Sequence, residues 1–215
     1  MDNLPKVIAI CGFAGAGKDT MADVLVKDFG YVKISMADAI KDMLAIVFGW
    51  DRDMLQGSTT ESRIWREQPD AYWSEILGYD FSPRKAMTLV GTDLFRNRFF
   101  NDIWVHTAKR RIMSSDPNTR FVIPDIRFAN EIEMVNSLGA HLFEVRRGLT
   151  PLWYDTVAAL NATSPKLADE YMNQHYPSIH ESEYSWVGLN TNASVIHNAS
   201  DVASLAEAVH GLYKV

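Results

Sequence analysis

Nine consecutive residues, Gly12-Phe13-Ala14-Gly15-Ala16-Gly17-Lys18-Asp19-Thr20, have the types and spacing needed to hold a polyphosphate. Glycines at 12, 15 and 17 let the backbone curl so that successive N–H groups, including that of Ala16, face one anion. Lys18 follows the last glycine directly and is placed to reach the outer phosphates. Thr20 offers a hydroxyl to the phosphates and to a Mg²⁺ ion. Asp19 stands where Ser or Thr usually follows the lysine, so the hydroxyl comes one place late, which weakens direct metal contact by Thr20. The other reading is a plain glycine-rich turn. An apolar run before the loop (Val7–Cys11) and a helical pattern after it (Met21, Val24, Leu25, Phe29) favour the phosphate loop.

Further chemistry-bearing residues lie along the chain. Asp125 ends a strand-like run, Arg120–Asp125. It suits a carboxylate that holds Mg²⁺ directly or through water, or else a strand-end cap or a partner for Arg127. Asp38 and Lys41, three residues apart, share one side of a helix; they read as a surface ion pair or as part of a site. Arg146 and Arg147 emerge just beyond another strand, and arginine forks match phosphate geometry. A phosphate loop, a strand-end carboxylate and several arginines together suit phosphoryl transfer, where catalysis is mostly positioning and charge stabilisation. No Cys/His cluster suggests a structural metal.

These residues need a scaffold that brings them to one edge. Strands are expected at Val7–Cys11, Tyr31–Ser35, Arg120–Asp125, His141–Val145 and Ala193–Asn198. Between them lie helices: one after the loop, one from Ala37 to Phe48, one begun by Ser82-Pro83 and continuing to Phe95, one after Asp102, one capped by Asn130, and a last one capped by Ser200-Asp201. Alternation of this kind predicts an α/β fold, a parallel sheet with helices on both faces. With the loop after the first strand, the expected class is the P-loop NTP hydrolase fold. Ligands then bind beyond the carboxyl ends of the strands, where Gly12–Lys18, Ser35–Asp38, Asp125–Arg127 and Arg146–Arg147 all fall. The chain reads as one domain over 1–215, with a core of 5–49, 118–147 and 190–215. Residues 50–113 form an excursion of short helices and loops, and 148–187 form a second, lid-like excursion without regular period.

Composition narrows the class. The 215 residues are 47% hydrophobic and 22% charged, enough for a sizeable core. The net charge of −6 and the lack of a basic block argue against a nucleic acid polymer as partner. The single cysteine, Cys11, excludes an intramolecular disulfide and suits a reducing compartment. The residues from Met1 to Lys6 do not read as a secretory signal, and no apolar run reaches membrane-spanning length. The expectation is a cytoplasmic protein.

Five pieces, in one order along the chain, resemble the deoxynucleoside monophosphate kinases of tailed bacteriophages, a branch of the P-loop nucleoside monophosphate kinase-like proteins. They are the loop Gly12–Ala22; Ser35-Met36-Ala37-Asp38-Ala39-Ile40-Lys41; Ser82-Pro83-Arg84 leading to Gly91–Arg96 and then Asp102-x-Trp104-Val105; Asp125-Ile126-Arg127-Phe128-Ala129-Asn130-Glu131; and His180-Glu181-Ser182-Glu183. The resemblance implies transfer of the γ-phosphoryl of ATP, with Mg²⁺, to a deoxynucleoside monophosphate. It implies that Lys18 meets the transferring group and that Lys41, Arg96 and Arg127 hold the acceptor phosphate. It also implies that Ser35, Asp38, Trp65, Arg66, Arg84, Asp93, Trp104 and Glu131 line the acceptor site. A homodimer working in the host bacterial cytoplasm is implied as well. Two alternatives differ in substrate or class: another small-molecule kinase, such as a phosphomevalonate or dephospho-CoA kinase relative, and a nucleotide-dependent regulatory switch.

Overall fold

The structure is a computed structural model that describes residues 4–189, 192–198 and 201–213. In chain order its elements are β1 (Val7–Cys11), α1 (Lys18–Phe29), β2 (Val32–Lys33), α2 (Asp38–Phe48), α3 (Arg52–Gln56), α4 (Thr60–Glu67), α5 (Ala71–Leu77), α6 (Pro83–Thr88), a π-helical stretch (Leu89–Arg96), α7 (Ile103–Met113), β3 (Phe121–Ile123), α8 (Ala129–Ser137), β4 (His141–Arg146), α9 (Tyr154–Thr163), α10 (Pro165–His175), a 3₁₀ turn (Glu181–Glu183), β5 (Ser194–His197) and α11 (Val202–Leu212). They form two compact units, one of Met1–Ser35 with Arg111–Val215 and one of Met36–Arg110.

The first unit carries the sheet. Its strands are all parallel, in the order β2-β3-β1-β4-β5. Parallel neighbours cannot be joined by a tight hairpin, so helical crossovers return the chain to the same edge each time. β1 is the middle strand, and all five of its residues are buried. Burial on both faces explains why it reads as an unbroken apolar run rather than an alternating one. Ile8 and Ile10 of β1 share a core with Leu25, Val122, Phe143, Val145, Ile196, Leu205 and Val209.

Two local expectations change. The second strand is shorter than Tyr31–Ser35, although the Ile34 N–H still bonds the Val122 carbonyl at 3.0 Å. Asn130 is not the cap of α8. That helix starts at Ala129, two residues earlier than a cap at Asn130 implies, and the Glu131 carboxylate reaches back to the N–H groups of Arg127 (2.7 Å) and Phe128 (3.2 Å). A carboxylate three residues into a helix has the reach to satisfy these orphan donors. At the last helix Asp201 accepts from the Ser204 N–H at 2.8 Å, while Ser200 lies outside the described residues.

The second unit is helical. The stretch from Trp50 to Asp80 shows no sequence period because its helices run only five to eight residues. Side chains start them: Asp51, Thr59, Asp70 and Ser82 each accept a backbone N–H at an N-cap. Phe48, Trp50, Trp73 and Phe81 pack ring against ring beneath them. The helix expected to continue to Phe95 instead widens at Leu89, and the Asn97 N–H bonds the Thr92 carbonyl five residues back. The indole N–H of Trp104 donates to the Gly91 carbonyl at 2.9 Å, competing for an acceptor that a regular helix would give to residue 95. No helix among the described residues is long and apolar enough to cross a membrane.

Candidate phosphate-binding site

The loop between β1 and α1 takes its shape from three left-handed glycines, Gly12 (φ 138°), Gly15 (φ 75°) and Gly17 (φ 106°). Two of them are also sterically required. A Cβ on Gly12 would strike the Val145 carbonyl, and one on Gly17 would lie 2.6 Å from Asn198 Nδ2. Asn198, just past β5, fixes the loop through its side-chain amide, which donates to the Ala16 carbonyl at 2.8 Å. Its own N–H bonds the Arg146 carbonyl at 2.8 Å. Lys18 opens α1 and donates to the Gly12 and Phe13 carbonyls, both at 2.8 Å. Burial holds its pKa below the ordinary lysine range, and the neighbouring Arg127 guanidinium lowers it further.

Other predicted residues of the same unit gather at the carboxyl ends of the strands. The Ser35 hydroxyl donates to Asp125 at 2.7 Å, so the chain after β2 meets the chain after β3. Glu131 holds the backbone N–H of Arg127, whose guanidinium donates to Ser182 Oγ (3.1 Å) and Glu183 (3.2 Å). The other Glu183 oxygen accepts the Ala14 N–H of the loop at 3.2 Å. Asp19 pairs with Lys33 at 2.8 Å, which occupies the carboxylate standing in the usual hydroxyl position; Thr20 beside it is partly buried.

The two arginines after β4 part ways. Residues 144 and 146 lie on one face of the strand, so the Arg146 fork meets Glu144 at 2.6 and 3.0 Å, and Tyr154 OH joins at 2.9 Å. That bonding pushes the Arg146 pKa up. Here Arg146 is engaged in a half-buried ion pair, while Arg147 is exposed. Phe13, at the crest of the loop, packs against Trp153 (5.6 Å between ring centroids) and Trp186 (5.1 Å). The 148–187 segment is therefore rooted on the loop, with Leu149 and Leu152 at its exposed edge.

The second unit holds the other candidates. Asp38 and Lys41 are not a surface pair: both are buried, 3.8 Å apart, with Arg52 3.3 Å from Asp38 and Gln56 accepting from Lys41 at 3.1 Å. Arg66 lies across Gly57, where a Cβ would strike its guanidinium. Its Nε is buried without a hydrogen-bond partner, and burial, then the charge of Arg84, lowers its pKa. Arg84 pairs with Glu67 at 3.4 Å. Arg84 and Asp93 also line a cavity of about 420 Å³ together with Tyr79, Phe81, Lys85, Thr88 and Leu89. Trp104 is buried against Phe95 and bonded to Gly91, so in this structure it supports the π-helical stretch. Trp65 meets Trp50 edge-on at 6.2 Å, and Arg96, half-buried, closes the stretch. Sequence reasoning assigns no role to Glu183, Asn198, Phe13 or Glu144. For Glu183 the short His180–Glu183 motif is a signal; Asn198 offers none beyond its place after a strand.

A parallel sheet whose middle strand runs into a glycine-rich loop, closed by a lysine at the head of a helix, defines a P-loop nucleotide-binding protein. Comparison with known proteins sharpens this. The family model for deoxynucleotide monophosphate kinases matches residues 54–152. A protein of Acanthamoeba polyphaga mimivirus, provisionally named deoxynucleotide monophosphate kinase, is 30% identical over 151 residues, 66% of this chain and 74% of that protein. The deoxynucleoside-5′-monophosphate kinase of Escherichia phage T5 is 43% identical over 54 residues, 25% of this chain and 21% of that protein. The chain belongs to the deoxynucleotide monophosphate kinase family. Among solved structures, the dephospho-CoA kinase of Campylobacter jejuni (TM-score 0.44, 13% identity, 97% of this chain and 96% of that one) and a gluconokinase of Sinorhizobium meliloti (TM-score 0.35, 12% identity, 97% and 96%) align only loosely, too loosely to carry an assignment.

Proposed function

We propose that this chain transfers the γ-phosphoryl of ATP to deoxynucleoside 5′-monophosphates, making the diphosphates. The observation that carries the reading is the gathering of Lys18, Arg127, Asp125 and Ser35 at the carboxyl ends of β1, β2 and β3, beside a loop built for phosphate. Lys18 and the backbone of the loop from Gly12 to Gly17 then hold the donor phosphates. Arg127 neutralises charge on the transferring group. An ionised acceptor phosphate is already a nucleophile, so no general base is required.

Mg²⁺ belongs to the reading. Among the described residues no three His, Cys, Asp or Glu side chains gather to hold a metal unaided. Mg²⁺ keeps several waters and takes one or two carboxylates plus substrate phosphates. Asp125, oriented by Ser35, and Thr20 would hold it, and it would neutralise phosphate charge. On the second unit we assign the acceptor to Arg66, Arg84, Asp93 and Arg96. A guanidinium nitrogen buried without a partner, beside a second arginine, supports an anion at Arg66. Glu131 serves by holding the Arg127 backbone N–H, Asp38 and Lys41 through their buried cluster with Arg52 and Gln56, Trp65 and Trp104 by packing. Arg147 and the exposed edge around Leu149 and Leu152 are assigned to a closing lid; slower hydrogen exchange across 147–152 with ATP and a monophosphate bound is the expected sign.

Both named relatives are viral proteins, which supports a virus-encoded supplier of DNA precursors; the resemblance extends this to a homodimer in the host cytoplasm. The test is a coupled assay of ADP formation with ATP against a panel of monophosphates. Turnover with deoxynucleoside monophosphates is expected. ATP turnover indifferent to all of them, with phosphomevalonate or dephospho-CoA phosphorylated instead, overturns the reading.

A further inference from the structure

The phosphate loop of this chain already holds an anion, and the anion belongs to the chain. One Glu183 oxygen accepts the Ala14 N–H at 3.2 Å and the other accepts from Arg127 Nη1 at 3.2 Å. A loop N–H and a guanidinium are the donors that a phosphate would take. Lys18 is meanwhile turned onto the Gly12 and Phe13 carbonyls. One loop N–H, the lysine and the arginine are each engaged from within the chain.

The contact is exchangeable rather than structural in character. The Glu183 side chain is 27% exposed and that of Arg127 39%. Half-open ion pairs are weak enough to yield to a better ligand. The 3₁₀ turn that presents Glu183 is held independently: His180 Nδ1 accepts the Ser182 N–H at 3.2 Å, and Trp186 packs on Phe13 nearby. The carboxylate is thus aimed at the loop by a fixed turn.

We propose that Glu183 is an internal stand-in for phosphate: its carboxylate occupies the loop until a nucleotide's phosphates displace it, and its departure hands Arg127 to the substrate. The proposal rests on the phosphate-loop reading above. It gives the loop a threshold. Binding falls by the fraction of molecules in which the carboxylate holds the loop. Arg127 becomes available only when a polyphosphate has arrived.

Titration calorimetry with inorganic tripolyphosphate and with adenosine tests this on wild type and Glu183→Gln. Glutamine keeps the shape and a hydrogen bond to Ala14 but loses the charge. The variant is expected to bind tripolyphosphate about tenfold more tightly, with adenosine binding unchanged. Glu183→Asp keeps the charge but is one methylene short of spanning Ala14 and Arg127. It is expected to bind tripolyphosphate about threefold more tightly, and it decides the matter if the glutamine variant does not fold. Unchanged or weaker tripolyphosphate binding in a folded variant overturns the proposal. Lys18→Ala separates this from the underlying reading: if it binds tripolyphosphate as wild type does, the loop assignment itself is lost.

Discussion

Lys18 shows how one side chain acquires its task from its surroundings. Its ammonium sits in a partly buried loop next to a guanidinium, which disfavours the charged form and lowers the pKa. Bound polyphosphate reverses that balance by supplying negative charge. Lys18→Ala is therefore expected to cut turnover by at least about a hundredfold with the fold retained, since it removes charge stabilisation of several kcal/mol from the transition state. Turnover within about tenfold of wild type, at saturating ATP and an unchanged melting temperature, would remove Lys18 from the mechanism. The lowered pKa has its own signature. kcat/KM for ATP reports the free enzyme. It should fall with rising pH at a lower pH than an ordinary lysine would impose, because the ammonium is lost early. In kcat, which reports the complex, the same limb should move to higher pH. Arg127 and Arg96 have different expected partners from Lys18. Alanine at either should raise the monophosphate KM or lower kcat, with ATP affinity much less changed, as steady-state kinetics in both substrates will show; a variant that instead loses ATP affinity moves that arginine to the donor side.

At the scale of elements, the loop and the π-helical stretch are the parts that geometry constrains most. Gly17 is left-handed and its missing Cβ leaves room for the Asn198 amide. Gly17→Ala adds both backbone strain and a clash, of order 1–3 kcal/mol, and should weaken ATP binding about tenfold or more; calorimetry with ATP measures it. Trp104→Phe removes a buried hydrogen bond to the Gly91 carbonyl, a loss of about 1–2 kcal/mol. It should lower the melting temperature by a few degrees and raise the monophosphate KM, because Asp93 and Arg96 ride on the same stretch. An unchanged KM would detach that stretch from the acceptor. What is legible in the sequence follows the same division. β1, α1, α2 and β4 are readable because burial on a face or on both faces imposes a period or an apolar run. The widened turn at Leu89–Arg96 is not, because the indole that bonds its Gly91 carbonyl lies thirteen residues away. The loop and Asp125 are readable from local order. The Glu144–Arg146 pair follows from strand alternation, yet the run Arg146-Arg147 suggests two equivalent phosphate ligands. Nothing local to Asn198 reveals that it braces residue 16.

At the scale of the molecule, the first unit is written in two pieces with the second unit between them. β1 must pair with β3 and β4, and both follow the insertion; Val7 meets Phe121 and Ile8 meets His141. Within residues 36–110 short helices start on local side-chain caps. Local contacts form fastest, and pairing between distant strands carries the cost of closing a long loop first. Time therefore enters the design. During synthesis the loop-bearing strand leaves the ribosome early and has no sheet to join until the whole helical unit has followed it out. Pulse-labelled hydrogen exchange during refolding should find amides of α4 to α6 protected before those of β1; simultaneous protection would mean that the two pieces of the sheet find each other without waiting. A nascent chain stalled before residue 121 would carry every residue of the phosphate loop and still lack the neighbours that shape it.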